Sequence, residues 1–134
     1  MKKLIYLSIC LSLLSGCTSL TRQEKIHLQQ LKSQGVTVEK PVGNYEKPAS
    51  VLFAAGLNVL PGLGNFYLGS GNAAEPSQWL YGFGNLLFWP TSIIWSVPEA
   101  AIDAHNINQR ELLYYYQFDK NGKKALQDAG ISLE

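Results

Sequence analysis

The chain has 134 residues, of which 46% are hydrophobic and 16% charged, and its formal net charge is +1 at pH 7. Eleven Lys and Arg against ten Asp and Glu leave no basic field, which excludes a nucleic-acid-binding domain. The two cysteines are too few for a cysteine-rich metal site.

The N-terminus has the three parts of a secretory signal. Lys2 and Lys3 precede an uncharged stretch from Leu4 to Leu14, and small residues and a cysteine follow. The apolar stretch is shorter than the ~20 residues that a helix needs to span a bilayer, so a permanent transmembrane anchor is the weaker interpretation. We predict that residues 1–16 are a signal peptide.

The predicted cleavage region, Leu14-Ser15-Gly16-Cys17, resembles the lipobox of bacterial lipoproteins. The resemblance implies a diacylglycerol thioether on Cys17, cleavage just before it, and acylation of the new amino group, for example by palmitate. Two or three acyl chains would attach the protein stably to membrane lipid. A plain secretory signal with an accidental cysteine is the alternative. Cys10 leaves with the signal, so no disulfide is expected.

The resemblance also bears on location. Thr18 stands where enterobacterial lipoproteins retained in the inner membrane carry an aspartate. The prediction is therefore the periplasmic face of the outer membrane, with the inner membrane as the alternative.

Residues 17–48 are predicted to be a lipidated N-terminus, a short helix and a linker. Thr21 and Glu24 have the spacing of a capping box, and Gly35 suits the left-handed position that closes a helix. Residues 36–48 contain two prolines and a glycine and should be extended. The peptide LQDAGISLE near the C-terminus repeats LKSQGVTVE, which suggests two similar helix ends or, less favourably, two paired tails.

Residues 49–134 are predicted to be an apolar helical hairpin followed by C-terminal helices. Between Lys47 and Glu99 the only charged residue is Glu75. Residues 49–63 would reach ~22 Å as a helix and residues 79–102 ~36 Å, although Pro90 predicts a kink or break in the second.

A separate helix is predicted to start near Val97. Ser96 and Glu99 have capping-box spacing, and Pro98 would lie in the first turn. The residues expected along one face of this helix are Ala100, Ala104, Ile107 and Tyr114.

Three tryptophans, Trp79, Trp89 and Trp95, together with Tyr81, are positioned for anchoring at a membrane interface. The alternative is that they fill the core of a small soluble bundle. The low charge of this region favours membrane contact.

The peptide PGLGNFYLGSGN, residues 61–72, predicts a close turn between apolar segments, because its glycines let the backbone bend and the segments approach. The turn and interface candidates are Gly62, Gly64, Phe66, Tyr67 and Gly69. A phosphate-binding loop is the weaker interpretation, because the glycine spacing differs from the known motifs and no lysine is present.

The FYLG of this peptide resembles the turn of the small two-transmembrane-helix domain family, over about residues 50–105. Trp95 and Asp103 match its second helix more loosely. Gly64 and Asn65 replace the acidic or histidine residue and the arginine that the family carries. The resemblance therefore guides the fold but not the membrane topology.

Catalytic chemistry has one candidate cluster, Glu99, Asp103 and His105. The two carboxylates share a helix face, whereas His105 points elsewhere. DKNG at residues 119–122 is predicted to be a turn. We predict no catalytic residues, no metal and no cofactor.

These observations predict a mainly α fold, a small helical domain with an apolar helical hairpin and polar helical arms at both ends. The predicted function is a non-enzymatic envelope lipoprotein that acts as a scaffold through the hairpin and through Tyr114 to Tyr116. Its partners would be membrane lipid through acylated Cys17, and an envelope protein or a second copy. The alternative is a lipid-tethered soluble periplasmic domain that binds a small apolar ligand or peptide. An enzyme ranks third.

Overall fold

The computed structural model describes residues 18–71 and 75–133, which are mainly helical, as predicted, and contain no strand. The predicted signal peptide and Cys17 lie outside the described residues. In chain order the helices are α1 (Arg22–Ser33), α2 (Val51–Leu57), α3 (Leu63–Ser70), α4 (Ser77–Leu87), α5 (Ile93–Phe118) and α6 (Lys120–Asp128). The long helix α5 packs against α1, α2, α3 and α6, while α4 packs on α3.

The two predicted helix ends are confirmed. The capping box starts α1, where the Glu24 N–H donates to the Thr21 hydroxyl and the Thr21 N–H donates to the Glu24 carboxylate. Gly35 closes the helix at φ 83°, and Gly130 closes α6 in the same way at φ 71°. Both ends depend on neighbouring residues alone, which is why the sequence predicts them.

The extended pieces after these glycines enter one apolar core at the polar end of the molecule. Its buried members are Leu31, Val36, Val38, Leu112, Leu113, Tyr116 and Leu126. Residues 36–48 form no helix, but they are not extended throughout as predicted, because Thr37 and Lys40 close a turn through two backbone hydrogen bonds and Gly43 has φ 81°. The segment lies packed along α5. The Val42 N–H donates to the Tyr116 hydroxyl at 2.8 Å, and the Tyr45 hydroxyl donates to the Asn108 carbonyl at 2.7 Å.

The turn predicted over residues 61–72 is wrong, because residues 63–70 form α3. The chain reverses earlier, between α2 and Gly62, which has φ 93°. The Asn58 side chain accepts hydrogen bonds from the N–H groups of Gly62 and Gly64 at 3.0 and 2.8 Å. These bonds satisfy otherwise unpaired groups at the start of α3 and allow a helix to begin there.

The predicted close approach at the glycines is confirmed. A Cβ atom on Gly64 would collide with the Ala54 carbonyl oxygen of α2, and one on Gly69 with the Trp79 indole of α4. Helix α3 therefore lies tightly between its two neighbours.

The predicted break at Pro90 is also confirmed, since α4 ends at Leu87 and α5 begins at Ile93. The helix start predicted near Val97 is wrong, and Pro98 lies inside α5. Ser96 does not cap a helix, because its N–H donates to the carbonyl of Ser92, the residue before α5, and its hydroxyl donates to the Asn58 carbonyl.

Two smaller predictions need correction. Asp119 does not form an isolated turn but caps α6, accepting hydrogen bonds from the N–H groups of Asn121 and Gly122. Tyr114 does not lie on the same buried face as Ala104 but is 59% exposed. The line of buried side chains winds gradually around a helix as long as α5.

Candidate functional site

Buried polar side chains run through the apolar half of the protein. We call this connected set the polar chain; it comprises Thr18, Asn58, Asn65, Gln78, Asn85, Glu99 and Asp103. All but Glu99 are buried. The set joins the start of the described chain to the loop after α2 and to α3, α4 and α5.

The first part of the polar chain is centred on the carboxylate of Asp103. The Thr18 hydroxyl donates to one oxygen and the Gln78 amide donates to the other, the latter at 2.7 Å. Gln78 in turn accepts a hydrogen bond from the Asn65 amide at 2.8 Å. A buried carboxylate is thereby satisfied on both oxygens.

The second part branches at Asn65. Its side-chain oxygen accepts from the amides of Asn58 and Asn85, at 2.9 and 3.1 Å. The Asn85 amide also donates to Glu99 at 3.2 Å, and its oxygen accepts from the Trp95 indole at 2.9 Å. The α2–α3 loop, α3, α4 and α5 are thus joined through side-chain amides.

The surface around this interior is apolar. We call its exposed large side chains in residues 51–102 the apolar shell; they are Val51, Leu52, Phe53, Val59, Leu60, Leu63, Trp79, Leu80, Phe83, Leu86, Leu87, Phe88, Trp89, Ile94 and Ile102. Leu52 and Leu87 are 85% and 84% exposed. This half of the protein buries the polar chain beside a small apolar cluster that includes Ala54, Leu68, Ala100 and Ala104, and it exposes its large hydrocarbon side chains, whereas an ordinary water-soluble domain buries most of them.

The predicted aromatic candidates occupy different environments. Trp79 and Trp89 are exposed in the shell, whereas Trp95 is half-buried and its indole N–H donates to the Asn85 side chain. The Phe66 ring lies 5.0 Å from the Trp79 ring, centroid to centroid. The Tyr67 hydroxyl accepts a hydrogen bond from the Ser50 N–H at 3.0 Å, next to the start of α2.

A cavity of about 150 Å³ opens beside Glu99. It is lined by Leu80, Tyr81, Gly84, Asn85, Phe88, Trp95 and Glu99. Ligand pockets typically measure roughly 300–1,000 Å³, so this cavity is small for the ligand or peptide of the alternative prediction. An open groove of about 520 Å³ between α1 and α5, lined in part by Leu28, Val36 and Leu112, lies within that range.

Glu99 is the least satisfied member of the polar chain. Its Oε1 is buried and has no hydrogen-bond partner among the described residues. Burial raises the pKa of Glu99 to about 7, the nearby Asp103 charge adds to the rise, and the Asn85 hydrogen bond opposes it. The side chain is therefore ready to take up a proton near neutral pH.

The predicted carboxylate cluster is only partly assembled. Glu99 and Asp103 both join the polar chain, whereas His105 is exposed on another face of α5, as predicted. Within residues 18–71 and 75–133 no three His, Cys, Asp or Glu side chains are grouped so that they could hold a metal ion.

Sequence reasoning missed the amide members of the polar chain. A signal was present, because Gln78 and Asn85 are seven residues apart, which places them on one face of α4 two turns apart. Amides recurring at that interval in a segment almost free of charge indicate a polar stripe within an apolar helix.

Comparison of the chain with protein-family models, with curated proteins and with solved structures finds no match. The likeness to the two-transmembrane-helix domain family stays a prediction that depends on the residues Phe66 to Gly69. In the described part of the chain, none of the helices combines the length and apolar character needed to cross a membrane.

Proposed function

We propose that this protein is a non-enzymatic lipoprotein of the bacterial cell envelope, anchored through acylated Cys17, whose apolar shell contacts membrane lipid. The observation that supports the proposal most directly is the combination of buried amides and exposed large apolar side chains in residues 51–102. The outer membrane, at its periplasmic face, is the proposed location.

The energetics of the shell favour a lipid environment. Removing a leucine or phenylalanine side chain from water contributes about 1.5–3 kcal/mol, and the shell contains many that its own fold leaves exposed. Monomeric soluble proteins rarely expose contiguous apolar patches larger than about a few hundred Å². In lipid these side chains lose contact with water.

The amides of the polar chain are compatible with the same environment. Lipid supplies no hydrogen bonds, so polar groups there must be satisfied within the protein. The amides of Asn58, Asn65 and Asn85 meet that demand through one another. The polar interior connects the helices while their outer faces contact hydrocarbon.

The polar half would then project from the membrane and carry the scaffolding role. It contains an exposed aromatic pair on α5, Tyr114 and Phe118, whose ring centroids are 4.9 Å apart. Exposed aromatic residues are enriched where proteins bind one another. We propose an envelope protein as the partner of this end.

The test asks whether the apolar shell holds the protein in the membrane when the acyl chains are absent. Cys17→Ser in an otherwise cleavable secretory signal removes the acylation site, and membranes are then extracted with alkaline carbonate. We expect the variant to stay in the pellet and to lose metabolic palmitate labelling. Release into the supernatant would support the lipid-tethered soluble domain, and persistent labelling would contradict lipidation at Cys17.

A further inference from the structure

We infer that residues 18–24 clamp the mature N-terminus onto α5, so that the acylated residue is held beside the apolar shell and both engage the same membrane surface. This inference rests on the proposed function. It adds a positioning role for Thr18, Asp103 and Arg110.

The first contact of the clamp is made by Thr18. Its side chain is fully buried and its hydroxyl donates to the Asp103 carboxylate. Asp103 is also fully buried, yet its neighbour on α5, Ile102, is 58% exposed in the apolar shell. The clamp therefore begins at a residue of α5 that adjoins, in the sequence, a member of the apolar shell.

The second contact is made by Arg110, seven residues or about two helical turns further along the same side of α5. Its guanidinium donates to the Ser19 carbonyl at 3.4 Å and to the Glu24 carboxylate at 3.2 Å. A third hydrogen bond, at 3.2 Å, reaches Glu75 just before α4. Arg110 thus connects the N-terminal segment to the residues just before α4, a helix that contributes to the apolar shell.

The clamp leaves no long flexible linker between the acylated residue and the folded protein. Thr18 directly follows Cys17 in the sequence, so a clamp at Thr18 leaves no intervening residues to act as a flexible linker. A flexible tether of a dozen residues would instead allow a separation of roughly 20 Å. The acyl chains and the shell are consequently presented together.

The experiment uses full-length lipidated protein in vesicles of phosphatidylethanolamine and phosphatidylglycerol. A nitroxide is attached at Ser19→Cys, where the native side chain is exposed, and its mobility is measured by electron paramagnetic resonance. Three backgrounds are compared: native Thr18, Thr18→Ser, which keeps the hydroxyl, and Thr18→Val, which keeps the shape without it.

We expect an immobilised label with native Thr18 and with serine, and at least a doubling of the mobile fraction with valine. Arg110→Gln, which removes the charge from the second contact, should raise the mobile fraction as well. Only variants whose circular dichroism shows the native helix content are compared. If the valine variant does not fold, Arg110→Gln tests the clamp in its place.

Tryptophan quenching by brominated lipids, measured on the same samples, reports insertion of the shell independently. Quenched tryptophans with a mobile label in the native background, or no response to either substitution, would overturn the clamp and leave the proposed function intact. Unquenched tryptophans would overturn the proposed function itself.

Discussion

Asn65 is the residue on which the interior of the apolar half depends most. Its side chain bonds to Asn58, Gln78 and Asn85 at once. A buried polar group that loses its partner costs about 1–3 kcal/mol, because it has given up water without compensation. Substitution at the branch point leaves several such groups.

We therefore expect Asn65→Leu to destabilise the protein by about 2–4 kcal/mol although it replaces an amide with a hydrocarbon side chain. The matched control is Asn121→Leu, at an exposed position of α6, which should change the free energy of unfolding by less than about 0.5 kcal/mol. Chemical denaturation in detergent micelles measures both. Equal stability of the two variants would contradict the role given to Asn65.

Glu99 gives the molecule a pH dependence. Its pKa is raised from 4.5 to about 7 in the folded protein, chiefly by burial, so the folded state holds the proton more tightly than the unfolded state. Folding stability should therefore fall as the pH rises from about 4.5 to about 7, and the contribution is constant outside that window.

Glu99→Gln removes the titration, so the stability of the native protein relative to this variant should decline across the same window. Melting temperatures of both proteins, measured in parallel from pH 4 to pH 8, provide the check. Parallel curves would show that Glu99 ionises normally.

At the scale of the element, the packing of α3 between α2 and α4 depends on glycines. Gly64 faces a backbone carbonyl of α2, which cannot move unless the helix moves, whereas Gly56 in α2 itself has open space where a Cβ would lie. Alanine substitutions at these two glycines therefore distinguish the cost of a clash between helices from the effect of helix propensity.

We expect Gly64→Ala to destabilise by about 1–3 kcal/mol through overpacking. Gly56→Ala should stabilise by up to about 1 kcal/mol, because alanine is the better helix former. Thermal melts followed by circular dichroism distinguish the two. A neutral Gly64→Ala would mean that α2 and α3 are further apart than the structure places them.

The elements also show how far sequence reasoning reached. The capping box at Thr21 and the glycine ends of α1 and α6 were predictable because local hydrogen bonds decide them. The start of α5 was not, because the capping signal at Ser96 loses to contacts with Asn58, a residue 38 positions away. The polar chain itself is a tertiary product, since each amide finds its partner only after the helices pack.

At the scale of the whole molecule, the long helix α5 connects two regions whose interiors are packed differently. One end has an apolar core around Leu31 and Leu112, and the other combines a small apolar cluster around Ala54 and Ala104 with buried amides and an apolar exterior. The low charge of residues 48–98 was a sequence-level sign of this division. Which apolar side chains face outward could not be read from composition.

The division predicts different responses to the same substitution. In the Cys17→Ser background, which lacks the proposed acyl chains, Leu87→Lys should leave folding in detergent unchanged but lower the partition into vesicles at least tenfold, since a charged side chain is costly among lipid chains. Ile26→Lys, at a 51% exposed apolar residue in the polar half, should alter neither. Vesicle flotation measures the partition. Equal flotation of both variants would argue that the shell faces a protein partner.

The amide-filled interior also has a calorimetric consequence. The heat capacity change of unfolding, about 12–15 cal/mol/K per residue in ordinary domains, is raised by newly hydrated hydrocarbon and lowered by newly hydrated polar groups. In the half built around Asn58, Asn65 and Gln78, unfolding newly hydrates amides, while much of the hydrocarbon was exposed already. Its free-energy curve should therefore be unusually flat with temperature, so this half would resist cooling better than a domain with a hydrocarbon core.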